Sequence, residues 1–215
     1  MSQKVKVWDL AVRFFHWSQL LLIAGLWYTG EEGLTAQHQL LAYTLLALVI
    51  TRIVWGFAGS DSARFARFAA TPTAAVRYLR KPYAVTGHNP ASFYMIILLI
   101  SLVLLQLLTG LATFDNSYMS DGPLVAWLPA NWVELASDIH KININILLAA
   151  IAVHVVAALW HSFRVHNVLT ALFTGKDKTA VHAVTLRHSG WFFLLFAALL
   201  ALLYYWQGSK LMALL

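Results

Sequence analysis

Five long apolar runs alternate with polar connections along this chain, at roughly 12–30, 38–57, 92–113, 140–163 and 190–207. A bilayer core about 30 Å thick asks for about 20 apolar residues in helical form. The first four runs are long enough to span it, and the fifth sits at the short limit. The polar connections supply helix starts. Asn89 followed by Pro90 reads as a cap with proline in the first turn, opening the third run. Thr71 followed by Pro72 does the same within "TPTAAVRYLRKP", which predicts a short amphipathic helix over 72–79 on the membrane surface. Inside the third run Gln106 is the strongly polar side chain, and residues 114–139 form a large loop in which Trp127 and Trp132 suit the interfacial belt. The pattern predicts an all-α integral membrane protein: a four-helix transmembrane bundle plus a fifth C-terminal transmembrane helix, with no soluble domain and no repeat.

Charge fixes the expected orientation. Lys4, Lys6 and Arg13 precede or open the first run. Arg64, Arg67, Arg77, Arg80 and Lys81 lie between the second and third, and Arg164, Lys176, Lys178 and Arg187 between the fourth and fifth. The other connections carry Glu31 and Glu32, then Asp115, Asp121, Glu134 and Asp138 against Lys141. The positive-inside rule puts the N-terminus and both basic loops in the cytoplasm and the C-terminus in the periplasm. The net charge of +6 is thereby explained with no nucleic acid as partner. The expected partner of the basic segments is membrane lipid. The N-terminal run resembles a secretory signal, but no small-residue cleavage site follows it, so it reads as a permanent span.

Composition narrows the chemistry. Of 215 residues, 60% are hydrophobic and 11% charged, which is membrane composition. There is no cysteine, which excludes disulfides, iron–sulfur clusters, thiolate ligands and c-type haem attachment within the chain. Any metal must be held by histidine or carboxylate, and there are nine histidines. Imidazole inside a bilayer is costly, so each intramembrane histidine is a candidate functional residue.

The stretch "HKININILLAAIAVHVVAALWHSF" sharpens that expectation. His140 and His154 are fourteen residues apart, hence about 40° apart around a helix and roughly 21 Å apart along it. The expected topology places His16 and His154 on the inner side and His38 and His140 on the outer side. Two depth-matched pairs result, each with imidazoles from two helices, as a six-coordinate b-type haem requires. A lone histidine at a helix end is ordinarily interfacial or capping, but four that agree in depth and face point to ligation. Arg13, three residues before His16, and Arg52, on the same face as His38, are candidate partners for haem propionates, with snorkelling to lipid phosphates as the alternative. His161 is expected to contact a haem without ligating it. His88 is assigned to the cap of the third helix, and His166, His182 and His188 to solvent in the basic loop.

Here the residues carry a resemblance. "VWDLAVRFFHW", "HQLLAYTLLALVITRIVWGF", "GHNPAS", "HKININILLAAIAVHVVAALWHSF" and "LTALFTGKDK" resemble the bacterial cytochrome b561 family, related to the cytochrome b subunits of nickel–iron hydrogenases. The resemblance runs from about residue 5 to 180 and leaves the fifth helix as an extension, giving domains 1–180 and 181–215. It implies a four-helix domain binding two b haems through His16, His38, His140 and His154 and exchanging electrons with quinone. The expected function is transmembrane electron transfer in the bacterial inner membrane, between a periplasmic partner such as a c-type cytochrome and the quinone pool. Alternatives within that chemistry are a membrane-anchoring subunit of a dehydrogenase or hydrogenase complex, and a superoxide:quinone oxidoreductase. A proton or metal-ion transporter is a weaker reading, because the spans lack acidic residues.

Overall fold

The structure is a computed structural model, and it describes residues 5–83, 85–115, 120–164, 168–177 and 184–212. Among the described residues, five helices are long and apolar enough to cross a membrane. They are α1 (Leu10–Glu31), α2 (Thr35–Ala58), α5 (Pro90–Leu111), α6 (Ala130–Arg164) and α8 (Gly190–Met212). Among the described residues, three short α-helices sit in the connections, α3 (Phe65–Phe68), α4 (Pro72–Arg80) and α7 (Val168–Thr174), with one turn of 3-10 helix at Val125–Trp127. The extended pieces are two-residue ladders. Strand β1 (Val5–Lys6) pairs antiparallel with β4 (Lys176–Asp177), and β2 (Phe114–Asp115) with β3 (Ser120–Asp121). The all-α membrane architecture expected from the apolar pattern is present.

Local chemistry sets the boundaries. Asp9 caps α1 through Oδ1, which accepts from the Val12 N–H at 2.7 Å. The turn between α1 and α2 needs a left-handed residue and has Gly33 at φ 65°. Asn89 Oδ1 accepts from Ser92 N–H at 2.8 Å and Pro90 opens α5, as expected. Thr71 Oγ1 accepts from Ala74 N–H at 3.3 Å, and α4 covers the predicted surface helix.

Two helices differ from the expectation. The fourth span begins at Ala130, ten residues earlier than the apolar run, and α6 reaches 35 residues. Its first turns carry Asn131, Glu134 and Asp138, so a hydropathy criterion stops where lipid stops and misses the polar turns beyond. Pro129 precedes the helix, where its missing N–H costs no intrahelical bond. The large loop is correspondingly shorter than 114–139. The fifth helix runs past residue 207 to Met212 for the same reason. Lys4, Lys178, His166 and His182 lie outside the described residues.

The chain divides into two compact units, and the long helices contribute to both. The first comprises residues 1–17, 50–98 and 151–195. Here the β1–β4 ladder closes the N-terminus onto the end of α7, and Gly175 O accepts from Val7 and Trp8 N–H at 2.8 and 3.1 Å. Phe192 of α8 is fully buried in this unit, edge-on to Phe14 at 6.4 Å and to Trp55 at 5.9 Å. The second unit comprises residues 18–49, 99–150 and 196–215, with Tyr43, Leu45, Leu48, Val103, Leu107 and Leu147 as its core. Large apolar side chains such as Leu21, Phe57, Leu108, Val156 and Leu194 are left uncovered, as lipid-facing positions must be.

Candidate functional site

Each unit holds one histidine pair. In the second unit the rings of His38 (α2) and His140 (α6) face each other with centroids 6.5 Å apart and planes at 75°. Their surroundings match bond for bond. His38 Nδ1 lies 3.0 Å from Leu26 O and 3.3 Å from Thr29 Oγ1. His140 Nδ1 lies 3.0 Å from Gln106 O and 3.3 Å from Thr109 Oγ1. Each threonine is followed by a glycine against which the ring packs. A Cβ on Gly110 would sit 2.9 Å from His140 Cε1, and one on Gly30 3.4 Å from His38 Cε1. Gln106 also reaches across from α5, with Nε2 donating to His140 O at 3.1 Å and Oε1 accepting from Asn143 Nδ2 at 2.8 Å. That fixes the turn of α6 carrying His140 and accounts for the one strongly polar side chain of the third apolar run. A cavity of about 290 Å³ opens between the two rings, with Glu31, Asp115 and Lys141 among its polar lining.

In the first unit the rings of His16 (α1) and His154 (α6) lie 6.4 Å apart with planes at 52°. Neither ring has a hydrogen-bond partner among the described residues, and His16 Nδ1 is buried without one. Beside His16, Trp17 stacks on Phe173 of α7 at 4.2 Å. Arg52 is only 3% exposed, its guanidinium over Phe15 at 5.7 Å and Phe65 at 5.1 Å, with Nη1 buried and unpartnered. It does not snorkel. Arg13 has a buried, unpartnered Nε and lies against Gly175. Asp9 is buried as well, and its Oδ2 accepts from Trp55 Nε1 at 3.0 Å.

His161 is buried and shares a 3.1 Å hydrogen bond between its Nε2 and Tyr78 Oη of α4. Burial, with Tyr83 adding to it, pushes the Tyr78 phenol up to about 12. The expectation that His88 caps α5 is corrected, since Asn89 performs that role. The His88 ring is instead packed against Trp8 at 4.6 Å and Phe68 at 4.4 Å, with Nε2 buried and unpartnered. Desolvation, aided by the charges of Arg52 and His16, pushes it down to about 3. His188 is exposed, and its Nδ1 accepts from the Gly190 N–H at 3.1 Å.

The pair geometry can be tested against haem. With metal–imidazole bonds of about 2.0 Å and a ring nitrogen about 1.2 Å from its centroid, two axial imidazoles hold their centroids about 6.4 Å apart. Both pairs meet that spacing. The unpartnered Arg13 and Arg52 nitrogens are the cationic donors a propionate asks for. The residues therefore fit b-type haem.

The model of prokaryotic cytochrome b561 matches residues 7–175. The chain belongs to the prokaryotic cytochrome b561 family. Comparison with curated proteins and with solved structures gave no match. Membership joins the five apolar helices in making the chain a membrane protein, and the family points to electron transfer across the membrane through b-type haem.

Spacing and topology single out four histidines and two arginines in the sequence of this cytochrome, and the fold brings them into two clusters. Sequence reasoning misses Tyr78, Asp9, and the threonine–glycine pairs 29–30 and 109–110. The last left a signal in "LWYTG" and "QLLTG", a shared Thr-Gly near the ends of the first and third apolar runs. Tyr78 left none, because only the tertiary contact distinguishes it from any other tyrosine of an amphipathic helix.

Proposed function

We propose that this cytochrome is a di-haem electron carrier between a periplasmic redox partner and membrane quinone, with residues 1–180 as its haem-binding core and 181–215 as an extension. The observation that carries this reading is the two imidazole pairs at axial-ligand spacing, 6.4 and 6.5 Å, each joining two helices. His16 and His154 are the ligands proposed for the inner haem, and His38 and His140 for the outer one. A bound b haem supplies a reversible one-electron iron couple. The protein's own work is to orient the imidazoles, neutralise propionates and manage protons.

The proton chemistry favours the side of His16 and His154 for quinone. Reducing a quinone consumes protons, so its carbonyl needs a donor within hydrogen-bond reach. The first unit offers the bonded Tyr78–His161 pair beneath α4, together with the buried donors of Arg13 and Arg52. His161 and Tyr78 are proposed to pass the proton, and the guanidiniums to anchor propionates. On the other side the polar lining includes Glu31 and Asp115, which suits a protein or small diffusible partner at the surface.

Haem stoichiometry and quinol reduction test the scheme together. His16→Ala or His154→Ala should lose one haem, and His38→Ala or His140→Ala the other, each leaving about half the wild-type pyridine haemochrome. His161→Ala should keep both. Quinol should reduce the remaining haem rapidly in His38→Ala and slowly in His16→Ala. The reverse order would move the quinone site to the other side, and full haem in any of the four ligand variants would remove that residue.

A further inference from the structure

The matched bonding of Thr29 and Thr109 goes beyond packing. We infer that these two threonines are positioning residues: they hold both histidines of the His38/His140 pair in one tautomer and give the haem bound there the lower reduction potential of the two. The inference rests on the ligand assignment proposed above.

The tautomer follows from counting protons. Leu26 O and Gln106 O can only accept, so His38 Nδ1 and His140 Nδ1, each 3.0 Å away, must donate. The threonine hydroxyls have already committed their single protons. Thr29 Oγ1 donates into the helix toward Gly25 O at 2.8 Å and Leu26 O at 3.2 Å. Thr109 Oγ1 does the same toward Leu105 O at 2.7 Å and Gln106 O at 3.2 Å. Their lone pairs remain, and each accepts from the facing Nδ1–H at 3.3 Å. Every Nδ1–H is thus shared between two oxygens, and only Nε2 is free to bind a metal. A threonine bonding back onto its own helix is ordinary. What is not ordinary is the repetition: the same carbonyl, hydroxyl and following glycine on two different helices, at the same distances, around one pair of rings.

The consequence is electronic. An imidazole whose Nδ1–H is drawn toward two acceptors donates more strongly through Nε2, which favours the oxidised iron and lowers the potential. The His16/His154 pair has no such partners among the described residues, and His16 Nδ1 is buried without any. Surrounding charge acts in the same direction. Arg52 and the Nε of Arg13 lie buried in the first unit, two cations against the one buried carboxylate of Asp9, and cations favour the added electron, whereas Glu31 and Asp115 outnumber Lys141 around the other cavity.

The test is a potentiometric titration of the full-length protein, followed by optical and paramagnetic resonance spectra, for Thr29→Val, Thr109→Val, the double variant and the serine variants. The wild type should show two midpoints. In the valine proteins haem content should hold and the lower midpoint should rise. The double variant should raise the reduced-to-oxidised ratio at fixed potential about tenfold, equivalent to about 59 mV for a one-electron couple. Serine, which keeps the oxygen, should restore both the midpoint and the resonance signal. An unchanged midpoint, or a rise confined to the haem that survives in His38→Ala, overturns the inference. If a valine protein loses haem, the alanine variant, which adds no bulk beside the ring, takes its place under the same criteria. Should His38→Ala retain both haems, the ligand assignment fails first and this inference falls with it; with that haem lost, the threonine variants alone decide.

Discussion

His88 illustrates how one side chain ties burial to pH. Its ring is held against Trp8 and Phe68 and its Nε2 has no partner, so the folded protein keeps it neutral down to about 3 against an ordinary 6.5. In the unfolded chain it takes up a proton as the pH falls through 6.5. The unfolded state therefore binds more protons between these values, and the folded state loses stability as pH drops through that window. At pH 5 the penalty is about 2 kcal/mol, taking about 1.4 kcal/mol per pH unit below the ordinary value. His88→Phe keeps the aromatic packing and removes the titration. Its melting temperature should fall less than that of the wild type between pH 7 and pH 5, measured side by side in one detergent. Equal losses would show that another group carries the acid sensitivity.

At the scale of the element, α8 is the helix the cytochrome b561 match leaves out, yet its first turn is built into the first unit. Phe192 is fully buried against Phe14 and Trp55, and the Ser189 hydroxyl before the helix accepts from Ala11 N–H at 3.3 Å. Emptying a buried phenylalanine site costs roughly 3–5 kcal/mol. Phe192→Ala should therefore lower the melting temperature clearly while leaving the haem spectrum intact, because none of the proposed ligands lies on α8. Loss of a haem from that variant would make α8 part of the haem-binding core and move the proposed boundary at residue 180.

For the whole molecule, the distribution of lysine and arginine predicts an orientation that fusion reporters can check. A periplasm-dependent reporter such as alkaline phosphatase should stay inactive when fused within 58–89 or 184–189. It should be active within 120–129 and at the C-terminus. The opposite pattern would invert the topology and exchange the sides assigned to quinone and redox partner. Arg52 contributes little to this prediction, since it is buried.

The sequence by itself determined the elements and the chemistry available to them. Apolar runs of membrane length dictate helices because no other structure satisfies backbone groups in lipid from within one segment. Asn89–Pro90 and Thr71–Pro72 fixed two helix starts because caps act within three residues, and the same locality let fourteen-residue spacing put His140 and His154 on one face. Polar extensions were invisible to that reasoning, so α6 gained ten residues at its start. Only the tertiary structure decided which groups meet across helices. Tyr78 on His161, Trp55 on Asp9, and His88 against Trp8 and Phe68 are contacts between residues far apart in the chain. The threonine–glycine pairs stand between the two cases. Their letters were legible as "TG" twice, but a hydroxyl acts on an imidazole only within hydrogen-bond distance, and packing alone sets that distance.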